Sequence, residues 1–180
     1  MRERWQGTLS DDFAVTRAMK ENDLPIFFVP QALTASLENY SFGKLLEFTT
    51  RQMKITRVYA KNLWLASLFG SFIFNLVMLS SIVLIASFEI RSFSFWFALV
   101  TFVSVSIFSI GKSHLRLKAV KLVLKDYETE LNKQIRSQNT LWIFSSAIFL
   151  YNSVCALLSR KIVWRGIRYK LESPNQTSKE

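Results

Sequence analysis

The sequence predicts an α/β plus transmembrane α fold, in which a small soluble part, residues 1–61, is followed by membrane helices and interfacial amphipathic helices. Two observations lead to this prediction. Long apolar runs without any charged residue occupy much of the chain after residue 61. The residues before them contain both helix-forming and strand-forming segments.

Three apolar runs define the membrane part of the prediction. They contain no charged residue and comprise residues 62–88, 92–111 and 137–159. A membrane-spanning helix needs about 20 consecutive apolar residues, and a chain of 180 residues cannot bury three such helices on all sides in a soluble core. We therefore expect a multi-pass integral membrane protein.

The charges around these runs predict their orientation. Basic residues precede the first run and follow the second, and only Glu89–Arg91 separates the two. Because basic flanks stay in the cytoplasm, residues 62–111 are expected to form a transmembrane hairpin with both ends cytoplasmic. The third run, residues 137–159, has basic residues on both sides and contains polar residues such as Asn152. It either crosses the membrane or re-enters it, and both interpretations stay open.

Residues 112–136 show a second kind of periodicity. Apolar side chains recur there at intervals of three and four residues from Leu117 to Ile135, while lysines, acidic residues and Gln134 fill the other face. This pattern is typical of an amphipathic helix that lies on an anionic membrane surface. The alternative is a helix that packs on the cytoplasmic domain.

The soluble part is predicted to contain helices and short strands. We expect a helix to begin near Asp12, with Ser10 or Asp11 as its N-cap. Residues 26–29, an apolar run between two prolines, are expected to form a buried strand, and residues 31–37 a second one. A basic amphipathic helix then leads into the first membrane run.

The cytoplasmic tail, residues 160–180, is predicted to form a short strand pair or turn around Gly166. Apolar residues flank this glycine on both sides, namely Ile162, Trp164, Tyr169 and Leu171. The residues from Ser173 onward are expected to be disordered, because they are polar and lack apolar side chains.

Several functional classes are excluded by composition. The chain has a single cysteine, Cys155, and a single histidine, His114. An intrachain disulfide, a CxxC or multi-histidine metal site and a Ser-His-Asp triad are therefore not available. The net charge of +10 does not indicate nucleic-acid binding, because the basic residues flank the apolar runs. No charged residue within a run offers a coupling site for transport.

Two motifs resemble those of a known family. Residues Ser10–Met19 contain the acid pair Asp11-Asp12 at the start of a predicted helix. This stretch resembles the acceptor-side acidic motif of inverting, membrane-bound GT-A glycosyltransferases, in particular ceramide glucosyltransferases and their bacterial lipid-glycosylating relatives, including hopanoid-biosynthesis types. The resemblance implies that Asp12, the second acid, is the catalytic base and that Asp11 belongs to the same catalytic motif.

The second motif lies about forty residues further on. The family has Gln/Arg-x-x-Arg-Trp there, on an interfacial helix just before the membrane, and this chain has Arg51-Gln52-Met53-Lys54-Ile55. Lys54 replaces the arginine and Ile55 replaces the tryptophan. The resemblance implies that Arg51, Gln52 and Lys54 bind substrate. Residues 162–169 also resemble a recurrent ending of the family.

The resemblance implies an inverting enzyme that moves a sugar from a nucleotide-sugar donor to a lipid acceptor. A carboxylate would take the proton of the acceptor hydroxyl, and a basic residue such as Arg51 or Lys54 would stabilise the leaving diphosphate. The family holds its donor and a divalent cation, Mg²⁺ or Mn²⁺, through a DxD-type motif before the acid pair, and no such motif precedes Asp11.

We therefore expect a C-terminal GT-A remnant from a truncated or partial reading frame. Such a chain is inactive by itself unless a separate chain supplies the donor-binding half and the metal ligands. The alternative is a non-catalytic membrane scaffold or subunit. In that case Asp11 and Asp12 only cap a helix, and Arg51 and Lys54 only flank a membrane segment.

Overall fold

The computed structural model of the protein describes residues 7–36, 38, 40–164, 166–174 and 176–179. Among them the fold is mostly helical, with one small sheet. The helices are α1 (Asp11–Glu21), α2 (Phe42–Tyr59), α3 (Lys61–Ser87), α4 (Phe93–Val123), α5 (Glu128–Lys133), α6 (Ile135–Thr140) and α7 (Trp142–Leu158), and the strands are β1 (Lys161–Trp164), β2 (Ile167–Ser173) and β3 (Gln176–Lys179).

The chain divides into two compact units. The first unit contains the described residues of Met1–Phe28, Glu38–Phe69 and Ile148–Glu180, and the second contains those of Val29–Leu37 and Gly70–Ala147. The first unit therefore holds both sequence motifs and the tail sheet.

The first unit is organised around α2. On one side, Ile55 packs with the buried Ile162 and Leu171 of the sheet. On another, Met53 packs with Trp64 of α3 and Ala156 of α7. Helix α2 is therefore held by two separate apolar clusters.

The tail forms an antiparallel sheet in the order β1-β2-β3. Trp164 and Ile167 are the last paired residues of the first hairpin, and Gly166 lies in its turn with a φ of +79°, a conformation that glycine adopts without strain. The predicted strand pair is confirmed. The predicted disorder after Ser173 is wrong for the described residues, because β3 pairs along β2.

The two strands predicted at residues 26–29 and 31–37 are not found; Leu37 lies outside the described residues. The first segment is irregular and exposed, with 79% and 81% of the Phe27 and Phe28 surfaces accessible, and a short 3₁₀ turn follows at Pro30–Ala32. A strand needs a neighbour for its backbone hydrogen bonds, and prolines at positions 25 and 30 remove two donors. The GT-A remnant is therefore not evident in the fold, since the described strands all belong to the tail.

Helices α3 and α4 contain 27 and 31 residues and are both long and apolar enough to cross a membrane. Most of their side chains are exposed, unlike those of a core helix in a soluble protein. This is consistent with membrane association. Helix α7 has 17 residues, which is shorter than the length of about 20 residues that a full crossing needs, and its Asn152 and Ser153 are buried.

The segment 112–136 does not form one continuous helix. Its first half is the end of α4, after which a 3₁₀ turn at Lys125–Tyr127 precedes α5 and α6. The Lys121 ammonium donates to Asn132 and lies 3.9 Å from the Glu128 carboxylate. In a continuous helix Lys121 and Asn132 would be about three turns apart, so these contacts hold α5 back against the end of α4.

Candidate active site

The acid pair lies in the first turn of α1. Ser10 is the N-cap residue, as predicted, with extended backbone, but its side chain makes no capping hydrogen bond. Asp11 and Asp12 are both exposed to solvent. Their carboxylates are therefore accessible to a substrate, beside backbone N–H groups whose dipole favours negative charge.

The start of α1 is attached to the end of α2 through one tyrosine. The backbone N–H of Leu9 donates to the Tyr59 hydroxyl at 2.9 Å. The rings of Phe13 and Tyr59 stack with centroids 5.5 Å apart and an interplanar angle of 20°. Tyr59 thus contacts the chain just before and just after the acid pair. These contacts fix the position of the pair relative to α2.

The rest of α1 packs through small residues. Ala14 and Ala18, one turn apart, are its buried side chains, whereas Val15 is 37% exposed.

The second motif lies on α2. Arg51 is half-buried, with its guanidinium 5.5 Å from the centre of the Phe48 ring, and Gln52 is exposed. The Lys54 ammonium donates to the backbone carbonyl of Lys161 at 2.7 Å, and burial lowers the pKa of this lysine. Lysine has three donors, so one of them is used to attach α2 to β1.

Ile55, which replaces the tryptophan of the family motif, has a structural role here. It is 7% exposed and belongs to the core with Ile162 and Leu171. The sheet occupies the space beside it, so this position packs the tail against α2.

Helix α2 carries the second motif and, through Tyr59, the attachment of the first. Tyr59, which attaches the acid pair, follows Lys54 by five residues and Arg51 by eight, or about 8 and 12 Å along a helix axis. The structure therefore places both motifs in the first compact unit.

Sequence reasoning missed the residues that hold this unit together. Arg57 donates to the carbonyls of Ala156 and of Leu157, the latter at 2.8 Å, and so satisfies the end of α7. Its guanidinium also lies 5.3 Å from the centre of the Trp64 ring. Burial, and to a smaller extent the charge of Arg160, lowers the pKa of Arg57.

Two polar contacts add to this arrangement. The Trp64 indole donates to the Ser153 carbonyl at 3.1 Å, and the Thr50 hydroxyl donates to the Asn152 side chain at 2.7 Å. Partners in these contacts are roughly a hundred residues apart in the chain, so no local pattern could have predicted them. In the sequence, these contacts are indicated only by the polar residues within the third apolar run.

The described residues do not form a metal site. No group of three or more His, Cys, Asp or Glu side chains lies close enough together to hold a metal ion in the part of the chain that the structure describes.

The family model for glycosyl transferase family 21 matches residues 3–177, nearly the whole chain. No curated protein matches the chain, and no solved structure does. The resemblance to ceramide glucosyltransferase-like enzymes of the GT-A type is thereby confirmed at the level of the family.

Proposed function

Because this chain belongs to glycosyl transferase family 21, we propose that it forms the acceptor side of an inverting enzyme. That enzyme moves a sugar from a nucleotide-sugar to a membrane lipid. The observation that supports this most is the exposed acid pair on α1, attached through Tyr59 to the helix that leads into α3. The family match identifies a glycosyltransferase chain, while the lipid acceptor and the catalytic residues are our proposal.

Asp12 is the base in this proposal. Its carboxylate takes the proton of the acceptor hydroxyl as the hydroxyl oxygen bonds to the anomeric carbon of the sugar, and the bond from that carbon to the diphosphate breaks. Attack from the face opposite the leaving group inverts the anomeric centre. Asp11, the neighbouring acid, orients the acceptor or adds to the negative field that favours proton transfer.

Arg51, Gln52 and Lys54 are proposed to contact the substrate. Negative charge develops on the leaving diphosphate, and a guanidinium or ammonium aimed at it lowers the barrier. Arg51 is the better placed of the two cations, because the Lys54 ammonium already donates to the Lys161 carbonyl.

A lipid acceptor is favoured by the position of the site in the chain. One residue, Ala60, separates the end of α2 from the start of α3, and α3 has the length and composition of a membrane helix. Substrate-binding residues of α2 therefore lie within a few turns of the proposed membrane boundary, where the hydroxyl of a lipid head would be found. From the basic flanks we propose a multi-pass protein with this unit on the cytoplasmic side.

The donor-binding half and the ligands of the expected divalent cation are proposed to belong to a separate chain. In the alternative, a non-catalytic membrane scaffold, Asp12 only caps a helix and has no catalytic role.

The proposal can be tested in membranes of cells that contain the chain with its natural partners. Labelled nucleotide-sugars would be supplied, and the lipid extract would be analysed for a new glycolipid and for its anomeric configuration. We expect a chain-dependent glycolipid with the configuration opposite to that of the donor. A labelled product that is a protein or a soluble sugar, or a retained configuration, would refute the proposal.

A further inference from the structure

The tail sheet has two faces of different chemistry. One face packs on α2 through the buried Ile162 and Leu171. Side chains alternate between the faces of a strand, so the other face carries Lys161, Val163, Arg168, Lys170 and Glu172, all of them exposed. Three cations and one carboxylate therefore line the face that points away from α2, which we term the basic face.

The register of the sheet brings its cations together. Lys161 and Lys170 are paired directly across β1 and β2, and Arg168 is paired with Val163 on the same face. Like charges opposite each other in an antiparallel sheet destabilise it. Glu172 offsets part of this repulsion, since its carboxylate lies 3.9 Å from the Lys170 ammonium and accepts a hydrogen bond from Ser178 at 3.1 Å.

The sheet follows directly on an apolar helix. Helix α7 ends at Leu158, whose side chain is 80% exposed, and β1 begins three residues later. Phe149 and Tyr151 of the same helix are also more than half exposed, as expected of side chains that face lipid. A short link of this kind keeps the sheet close to whatever surface covers the end of α7.

We propose that the basic face lies on an anionic phospholipid headgroup surface. Lysine and arginine side chains close to such a surface are attracted by its negative potential, which relieves the repulsion between Lys161 and Lys170. Val163, 45% exposed between the cations, meets the boundary between headgroups and acyl chains. This inference rests on the membrane location in the proposed function, and it is independent of the catalytic role of Asp12.

The test uses the full chain in lipid nanodiscs. The single cysteine is replaced (Cys155→Ser), Val163→Cys is added, and a nitroxide label is attached at position 163. Its accessibility to a water-soluble nickel chelate is then compared between phosphatidylcholine alone and phosphatidylcholine mixed with phosphatidylglycerol. We expect accessibility to fall in the anionic lipid and to recover at high salt, because ions screen the attraction.

A double variant and a charge-matched control complete the design. Each basic residue near an anionic surface changes the ratio of membrane-bound to unbound sheet about fivefold. The double variant Arg168→Gln with Lys170→Gln should therefore reduce that ratio roughly thirtyfold. Lys20→Gln with Lys44→Gln removes the same charge from exposed positions on α1 and α2 and should leave it unchanged.

Other outcomes would overturn either this inference or the membrane location on which it rests. A label that is indifferent to phosphatidylglycerol, or that responds equally to both double variants, overturns this inference alone. A chain that does not incorporate into nanodiscs overturns the membrane location, and the inference with it.

Discussion

The backbone N–H of Leu9 donates to the hydroxyl of Tyr59 at 2.9 Å, across fifty residues of sequence. Together with the stacking of Phe13 on the same ring, this bond positions the acid pair relative to α2. Tyr59 is thus a positioning residue for the proposed base, and it touches neither the acceptor nor the donor in this account.

Tyr59→Phe should therefore impair turnover more than binding. The variant keeps the ring stacking and removes the acceptor of the Leu9 N–H, at a cost of about 1 kcal/mol in stability. A small displacement of a catalytic group lowers rates strongly, so we expect kcat to fall by roughly tenfold to a hundredfold with little change in KM.

The measurement for Tyr59 combines glycolipid synthesis in native membranes with hydrogen exchange of the α1 amides. Tyr127→Phe removes a tyrosine hydroxyl elsewhere and should have neither effect. Equal losses in kcat and in binding, or unchanged exchange of α1, would contradict a positioning role.

The bond between Thr50 and Asn152 should show a measurable coupling. Asn152 is 2% exposed, and Asn152→Ala leaves the Thr50 hydroxyl without this acceptor, so we expect a loss of about 1–3 kcal/mol in the free energy of unfolding. In the Thr50→Val background the same substitution should cost about 0.5–1.5 kcal/mol less. Unfolding in detergent micelles measures the cycle, and strictly additive effects would show that the pair does not interact.

Lys54 should make stability rise with pH in the alkaline range. Burial lowers its pKa in the folded chain, so at pH values between the folded and unfolded pKa the unfolded chain binds more protons. The cost of burying the ammonium is fully present below the folded pKa. It is relieved as pH rises toward the unfolded value of about 10.4.

The stability of the wild type relative to Lys54→Met should consequently increase across that window and level off above it. Urea unfolding at a series of pH values measures this difference, with Lys20→Met as the same chemical change at an exposed position. A difference that stays constant or falls with pH would contradict the assigned direction.

Donor binding should require more than this chain. We expect no micromolar binding when a nucleotide-sugar is titrated with Mn²⁺ into the purified protein, because no DxD-type motif precedes Asp11. Calorimetry measures this directly. Micromolar affinity would place the donor site in this chain and remove the need for a separate donor-binding partner.

Local pattern was sufficient to predict the elements that depend on nearby residues. The start of α1 at Ser10-Asp11, the long apolar helices α3 and α4, and the hairpin around Gly166 all follow from spacing, composition or a glycine in a turn. The association of the acid pair with a glycosyltransferase family followed from the order of two motifs, each of which is weak alone.

Long-range contacts explain what was not predicted. Residues 26–29 have the composition of a strand, yet a strand exists only with a partner, and its neighbours along the chain offer none. β3 has the composition of a disordered tail but pairs with β2. Arg57 appeared to be one more basic residue before a membrane helix, and its role depends on carbonyls about a hundred residues away.

The proposed role of Asp12 as the catalytic base can be tested with one pair of variants. Asp12→Asn and Asp11→Asn are compared for glycolipid synthesis in native membranes and for stability in detergent. We expect a loss of roughly a hundredfold to ten-thousandfold in rate for Asp12→Asn, a smaller loss for Asp11→Asn, and stability changes within about 1 kcal/mol for both. Full synthesis by Asp12→Asn, with the two variants differing only slightly in stability, would contradict a catalytic role for Asp12. The acid pair would then act only as a helix cap.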